Sequence, residues 1–152
     1  MYPILLAVLL QTGQTWSPAQ QEIIEQIKRC NDAWVSSIEQ KRFEVYDAVC
    51  PATDQAVFWY TGRDGAPAPY KGSNGLWTTS QSSQNRAFSW GDLEPVTVQI
   101  DGDVAYFYYG VTWSFESTEG TRTNNRSRRL TVFQKRNGRW YMSAGSIAAV
   151  PK

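Results

Sequence analysis

Three turn dipeptides divide the second half of the chain into four long runs in which apolar and polar residues alternate. The dipeptides are Asp101-Gly102, Glu119-Gly120 and Asn137-Gly138. Asp-Gly and Asn-Gly between alternating runs are strong signals of tight β-hairpins, because these residues readily adopt a positive φ. The pattern therefore predicts an antiparallel meander of four strands, over Phe88–Ile100, Asp103–Phe115, Thr121–Arg136 and Arg139–Val150.

The first half of the chain has the period of a helix instead. Ser17, Pro18 and Gln20 provide an N-cap, a proline at the first helical position and a capping-box residue. Apolar residues then recur at steps of three and four as far as Ile38, which predicts one amphipathic helix. Its predicted buried face consists of Ile23, Ile24, Ile27, Cys30, Trp34, Val35 and Ile38.

Shorter elements are predicted between this helix and the meander. A second helix over Arg42–Val49, ended by Pro51, is expected to bury Phe43, Tyr46 and Val49. A strand over Ala56–Thr61, a Gly/Pro-rich loop over Gly62–Tyr70 and a short helix from Ser73 to Ser80 follow. Helices followed by a run of strands predict one α+β domain, over residues 17–152.

Hairpin pairing predicts which side chains share a face of the sheet. A two-residue turn at Asn137-Gly138 assigns to the inner face Arg129, Thr131, Phe133, Trp140, Met142, Ala144 and Ser146. The turn at Asp101-Gly102 adds Val96, Val98, Ile100, Ala105, Phe107, Tyr109, Val111, Trp113 and Phe115. The outer face keeps Tyr106, Tyr108 and Tyr141, which is more apolar than a solvated face needs and is typical of an interface.

The N-terminal segment, residues 1–16, contains the apolar run Ile-Leu-Leu-Ala-Val-Leu-Leu at positions 4–10. The run is too short to span a bilayer, so no stable membrane span is expected. It resembles the core of a signal peptide, and we expect export to the periplasm or the medium. The alternative is an apolar segment packed on the domain of a cytoplasmic protein. Cys30 and Cys50 could pair in an oxidising compartment and would be buried thiols in a reducing one.

Composition excludes several classes of chemistry. The chain has no histidine and only two cysteines, which excludes triads built on imidazole, histidine metal sites and thiolate cages. We therefore expect no metal and no cofactor. The formal net charge of +1 gives no field that would attract nucleic acid.

The order of the elements and several short segments are those of a known superfamily. The segments are Trp34, Lys71-Gly72, Asp101-Gly102-Asp103-Val104-Ala105, residues 129–133 and residues 138–142 with Ser146. Over residues 18–148 the chain resembles the nuclear transport factor 2-like superfamily, which includes ketosteroid isomerase and the SnoaL-like polyketide cyclases. The resemblance implies a cone-shaped curved antiparallel sheet packed on N-terminal helices. It also implies a largely apolar pocket and a homodimer formed through the outer sheet face.

Many members of the superfamily carry a histidine in the last strand, shortly before the serine that matches Ser146. This chain has Ser143-Ala144-Gly145 in that place. The departure argues against an acid–base role for the last strand, and the sequence names no catalytic residue.

The candidate ligand-binding residues are an inward arginine, a serine and a set of aromatic side chains. An inward arginine must be paired or must meet an anion unless its head reaches water, so Arg129 is a clamp for a ligand anion, the partner of Glu94, Asp54 or Asp47, or an arginine at the mouth of the cone whose head reaches water. The aromatic residues either line a pocket or form a plain core. The predicted site consists of Trp34, Trp59, Tyr60, Trp90, Tyr109, Trp113, Arg129 and Ser146.

Three functions remain open at this point. The first is a domain that binds a small apolar or aromatic ligand, which can be an anion, with Arg129 as anchor. The second is an enzyme of the dehydratase, isomerase or cyclase kind, with a carboxylate or tyrosine base. The third is a homodimeric association module whose cone is filled.

Overall fold

The first helix begins and ends where its signals predict. The computed structural model describes residues 14–61, 67–72, 74, 75, 77 and 87–150. Helix α1 spans Pro18–Gln40, and Ser17 and Gln20 form a reciprocal capping box at its start. The Gln20 amide also donates to the Val98 carbonyl at 2.8 Å, which joins the start of α1 to the sheet. Val35 is only partly buried, whereas the rest of the predicted apolar face is buried.

The second helix is held to the first by a disulfide. Helix α2 spans Phe43–Val49 and buries Tyr46, but Val49 is 37% exposed, so the prediction that it is buried was wrong. Cys50, directly after α2, is bonded to Cys30 in α1. The pairing that the sequence left open is therefore present, and both sulfurs lie in the core.

Six strands form one curved, unclosed sheet. They are β1 (Ala52–Thr61), β2 (Pro67–Lys71), β3 (Ala87–Asp101), β4 (Val104–Glu116), β5 (Arg122–Arg136) and β6 (Arg139–Ala149). Their order in the sheet is β2-β1-β6-β5-β4-β3. The predicted meander is confirmed as β3 to β6. The sheet is mixed rather than purely antiparallel, because β1 runs parallel to β6.

Strand β2 lies in the segment that was predicted to be a loop. Pro67–Lys71 pairs with β1 as an edge strand. Proline is tolerated there because the N–H that it lacks would point away from the sheet, where no strand is paired. The loop prediction was therefore wrong for these residues, and residues 62–66 lie outside the described part. Of the short helix predicted after Ser73, the described residues Asn74, Gly75 and Trp77 are helical, and the others lie outside the described residues.

The last hairpin has the predicted turn but contains an unpredicted bulge. Asn137 and Gly138 both have positive φ, and Arg136 pairs with Arg139. Beyond Phe133 and Met142, however, the register shifts by one residue at Ser143. A one-residue shift moves every later side chain to the other face. Gly145 and Ile147 thus face inward, and the predicted inward positions of Ala144 and Ser146 were wrong.

The β3–β4 hairpin keeps its predicted faces. Asp101 pairs with Val104, so the turn lies at Gly102-Asp103, one residue later than predicted. The register changes by two residues, which preserves the alternation. Val96 is the exception, since it sits at a bulge and is 40% exposed rather than inward.

The core fills the space between the helices and the inner face of the sheet, with Phe107 and Phe133 fully buried. Trp16, just before α1, also packs against this core. Residues 1–13 of the predicted signal segment lie outside the described residues. No helix in the described part of the chain is both long and apolar enough to cross a membrane.

Candidate functional site

A cavity of about 300 Å³ opens between the inner face of the sheet and α1. It is bordered by twenty residues, ten of them aromatic, from both helices and from every strand. The rings of Phe88 and Trp113 in its wall are stacked, with an angle of 11° between their planes and 5.6 Å between their centroids. Phe115 continues the stack at 24° to Trp113. The wall therefore contains a stack of three aromatic rings on β3 and β4.

Gly145 on β6 forms part of the cavity wall. A Cβ atom at this position would lie 2.7 Å from Cδ1 of Phe58 on β1, which is far inside normal contact distance. The missing side chain therefore lets the Phe58 ring pack directly on the backbone of β6. The bulge at Ser143 is what brings Gly145, rather than Ala144, to this place.

Arg129 on β5 is half-buried in the cavity wall. Its guanidinium carbon lies 4.7 Å from the centre of the Trp90 ring, and its Nε donates to Ser127 Oγ at 3.0 Å. No ion pair joins it to a carboxylate in the part of the chain that the structure describes. Because a guanidinium carries five N–H donors, this arrangement leaves donors for a ligand.

The carboxylates that were predicted to pair with Arg129 either pair with other arginines or lie exposed to solvent. Glu94 lies on the outer face of β3, where its Oε2 accepts from Arg126 at 2.5 Å and lies 3.8 Å from Arg128. Asp47 and Asp54 are exposed to solvent. The ion-pair alternative for Arg129 was therefore wrong among the described residues.

The charge state of the site follows from its burial. Burial lowers the pKa of the Arg129 guanidinium, while the neighbouring phenols of Tyr109 and Tyr46 oppose the shift. Arginine remains charged at neutral pH even so. Burial raises the pKa of Tyr46 above its usual range, so this phenol stays protonated. The cavity therefore holds one positive charge and neutral hydroxyl groups.

Three tryptophans in the wall have unused donors. The indole N–H groups of Trp34, Trp90 and Trp113 are buried and have no hydrogen-bond partner among the described residues. By contrast, Trp77 donates to Ser37 Oγ at 2.8 Å. Tyr109 and Thr131 share a hydroxyl contact of 3.4 Å beside Arg129. The described wall therefore combines a guanidinium with hydroxyl groups and contains no carboxylate.

The structure brings together most of the predicted site residues. Lining the cavity are Trp34, Tyr60, Trp90, Tyr109, Trp113 and Arg129. Trp59 does not belong to it, since it lies on the outer face and is 48% exposed. Ser146 borders the cavity, but it is exposed and pairs with Leu130 and Trp59 on the outer face. Its predicted place beside Arg129 is taken by Ile147.

Sequence reasoning missed several lining residues. Phe88 and Phe115 follow the same alternation as Trp90 and Trp113, so parity could have identified them. Tyr46 was predicted to be buried, but nothing in the sequence shows that α2 faces the cavity. Tyr70 was hidden in the segment predicted to be a loop.

The second notable surface is the outer face of the sheet. One row of paired residues crosses all six strands: Pro69, Trp59, Ser146, Leu130, Tyr108 and Thr97. Trp59, Tyr106, Tyr108 and Leu130 are among the large apolar side chains that remain exposed here. Contiguous apolar surface of this kind usually marks an interface.

Comparison with known proteins gives one family and one fold. Residues 20–144 match the family model of the calcium/calmodulin dependent protein kinase II association domain. No curated protein matches the chain. Among solved structures, a nuclear transport factor 2-like superfamily protein from Salmonella enterica is similar with a TM-score of 0.67 at 16% identity, over 88% of this chain and 92% of that one.

Two further structures show the range of proteins with this fold. The association domain of C. elegans calcium/calmodulin dependent protein kinase II aligns with a TM-score of 0.56 at 18% identity, over 86% of this chain and 98% of that one. A hexachlorocyclohexane dehydrochlorinase from Novosphingobium barchaimii aligns with a TM-score of 0.61 at 12% identity, over 89% of this chain and 92% of that one. At these identities the likeness concerns the fold alone.

Proposed function

Because the chain belongs to the calcium/calmodulin dependent protein kinase II association domain family, with the fold of the nuclear transport factor 2-like superfamily, we propose that it is a binding domain. In this proposal the cavity holds a small planar anion, and the protein associates with copies of itself through the outer face of the sheet. The proposal keeps Arg129 as the anchor of the ligand.

The observation that carries the proposal is the charge of the cavity. Arg129 has no carboxylate partner among the described residues, and none of the described lining residues is Asp or Glu. The half-buried Arg129 guanidinium has donors left over beside its contacts with Trp90 and Ser127, and a bound carboxylate would accept two charge-assisted hydrogen bonds from it. The same charge disfavours cationic ligands.

Size and shape narrow the ligand further. An engineered protein cavity of about 150 Å³ takes up a single benzene molecule. The cavity here has about 300 Å³ and stacked aromatic walls, which suits a molecule of two fused rings. A planar bicyclic carboxylate therefore fits the volume, the walls and the charge.

The test is a calorimetric titration with naphthoate on the wild-type chain and on Arg129→Gln. We expect Arg129→Gln to weaken binding roughly ten- to a hundred-fold, because hydrogen bonds between charged groups contribute about 1.5 to 3 kcal/mol. The matched control is Arg126→Gln, since Arg126 pairs with Glu94 outside the cavity. Equal affinities of wild-type protein and Arg129→Gln, or no binding to either, would overturn the proposal.

The same cavity gives little support to an enzyme. A carboxylate base is missing from the described lining residues, and Tyr46 is held in its protonated form by burial. A neutral phenol with a raised pKa is a poor general base at neutral pH. We therefore assign no reaction to the chain.

Export from the cytoplasm is the compartment that we propose. The support is the Cys30–Cys50 disulfide, because such bonds persist in oxidising compartments and are rare in the cytosol of most organisms. The apolar run at residues 4–10 agrees with this location. Cell fractionation with an antibody against the protein tests it, and recovery of the protein with its thiols free in the cytosol would contradict it.

A further inference from the structure

A second pocket lies on the outer face of the sheet, beyond the exposed tyrosines. It has a volume of about 540 Å³ and is bordered by β3, β4, β5 and the residue that follows β6. Its lining includes Arg122 and Arg126, and none of the described lining residues is Asp or Glu. Ser114 in its wall lies six residues beyond Tyr108 along β4, which is roughly 20 Å. The pocket is therefore apart from the tyrosines that we propose for self-association.

The side chains of both arginines extend from β5 over β4. Nη2 of Arg122 donates to Ser114 Oγ at 3.2 Å, and Nη2 of Arg126 lies 2.5 Å from Glu94 Oε2 on β3. Both arginines are exposed, and each guanidinium carries five N–H donors. The two side chains are thus directed over the outer face by these bonds, and they keep further donors that a ligand in solution can reach.

Hydroxyl and amide groups lie between the two arginines. The hydroxyl oxygens of Ser89 and Ser114 are 2.7 Å apart, and Asn124 is the β5 residue opposite Ser114, on the same face as Arg122 and Arg126. Ser89 and Asn124 are exposed, whereas Ser114 is buried and holds the Arg122 guanidinium in place. A ligand in this pocket therefore meets two positive charges and neutral groups that can pair with its own hydroxyls.

We propose that this pocket is a second ligand site, which binds a small sugar phosphate through its phosphate group, with Arg122 and Arg126 as the anchors. A phosphate monoester has a charge of about −1.5 to −2 at neutral pH and three strong acceptor oxygens, which arginine forks match. A carboxylate has one charge and two oxygens, so it makes less use of a second arginine. The volume lies within the range of small-molecule sites, roughly 300 to 1,000 Å³.

Glu94 competes with the ligand for Arg126. Its Oε2 also lies 3.8 Å from Arg128 Nη1, so one carboxylate is shared by two guanidiniums. Glu116, the cross-strand neighbour of Arg122, carries a further carboxylate on this face. Removal of the Glu94 charge should therefore strengthen phosphate binding, which a purely structural ion pair would not explain.

The experiment is a calorimetric titration of the full chain with glucose 6-phosphate, inorganic phosphate and glucose. We expect glucose 6-phosphate to bind most tightly and glucose not to bind. Arg122→Gln and Arg126→Gln should each weaken binding of the ester roughly ten-fold, because charge-assisted hydrogen bonds are lost. Glu94→Gln should strengthen it about two- to five-fold, the usual range for an exposed charge pair. Inorganic phosphate binding as tightly as the ester would overturn the assignment to a sugar phosphate.

Two matched controls separate this pocket from other arginines. Arg136→Gln changes an exposed arginine that bonds to Gln134 near the last turn, and Arg129→Gln changes the anchor of the inner cavity. Both variants should bind glucose 6-phosphate as the wild-type protein does. Loss of binding in Arg129→Gln would place the ester in the inner cavity and overturn the inference.

A second measurement does not depend on the variants. In ¹⁵N-labelled protein, the side-chain amide resonances of Asn124 should shift when glucose 6-phosphate is added and should stay when glucose is added. Unchanged Asn124 resonances, or full affinity in both Arg122→Gln and Arg126→Gln, would overturn the inference. Either result would leave the proposed function of the inner cavity standing, since naphthoate tests that cavity separately.

Discussion

Gly145 is the residue on which the shape of the cavity depends most directly. A methyl group here would press on the ring of Phe58 at 2.7 Å and on the Leu130 carbonyl at 3.2 Å. Gly145→Ala is therefore expected to destabilise the fold by about 1 to 3 kcal/mol, the usual cost of overpacking a core. Thermal unfolding measures it.

The matched control for Gly145→Ala is the double variant with Phe58→Leu, which removes the ring that the methyl group meets. If the two changes together cost clearly less than the sum of the single changes, the contact explains the loss. Strict additivity would mean that the strain arises elsewhere.

Tyr46 makes the folded protein less stable as the pH rises into the alkaline range. Burial raises its pKa in the folded state, whereas the unfolded phenol ionises near pH 10. The contribution of Tyr46 to the free energy of unfolding is therefore complete below about pH 10. It is lost as the pH rises above that value, at up to about 1.4 kcal/mol per pH unit. Tyr46→Phe should abolish this loss.

The same variant should change little at neutral pH. Among the described residues the Tyr46 hydroxyl makes one hydrogen bond, a long contact of 3.9 Å with the Met142 sulfur, so its removal costs little there. Urea unfolding of both proteins at pH 7 and above pH 10 makes the comparison. An identical alkaline decline in wild-type and variant protein would assign the decline to other groups.

At the scale of single residues, the sequence placed Arg129 on the correct face of the sheet and Ser146 on the wrong one. Alternation along β5 correctly placed Arg129 inward, because residues two and four positions away, Thr131 and Phe133, belong to the same face. Ser146 was misplaced because a single extra residue at Ser143 reverses the faces beyond it. No local signal marks that bulge, since it is set by contacts between β6, β5 and β1.

At the scale of elements, the Cys30–Cys50 bond joins the end of α2 to the middle of α1. It keeps Tyr46 against the cavity and closes a segment with a sequence separation of 20 residues. A bond that closes a loop of this length contributes roughly 3 kcal/mol through the unfolded state. Replacing both cysteines by alanine should lower the unfolding free energy by about that amount.

Chemical denaturation with and without reductant measures this effect. Reductant should lower the stability of the wild-type protein and leave the cysteine-free variant unchanged, which separates the bond from the effect of packing. A wild-type protein with the same midpoint under both conditions would contradict the expected contribution.

Elements with strong local signals were predicted well. The capping box of α1 and the Asn137-Gly138 turn are encoded within a few residues, and both are confirmed. Strand β2 was missed because its prolines resemble those of a loop, and they fit a strand only at the edge of a sheet. The parallel pairing of β1 with β6 joins distant segments, so no local pattern reports it.

At the scale of the whole molecule, the outer face of the sheet is the surface that we expect to hold two copies together. Replacing Tyr106 and Tyr108 by glutamate places like charges on both sides of such an interface, and the protein should become monomeric. Sedimentation velocity measures the change. The control is Thr121→Glu, which adds a charge in an exposed turn, and an unchanged profile for the tyrosine variant would exclude this face.

The edges of the sheet decide how the molecule behaves at high concentration. Strand β2 carries Pro67 and Pro69, and β3 carries Pro95 beside a bulge at Val96. A strand can be extended by another chain only where it offers N–H donors in register, and both free edges interrupt that row. Templated growth into fibrils is thus opposed at these prolines, and concentrated solutions of the folded protein should stay clear where an open sheet without them would gel.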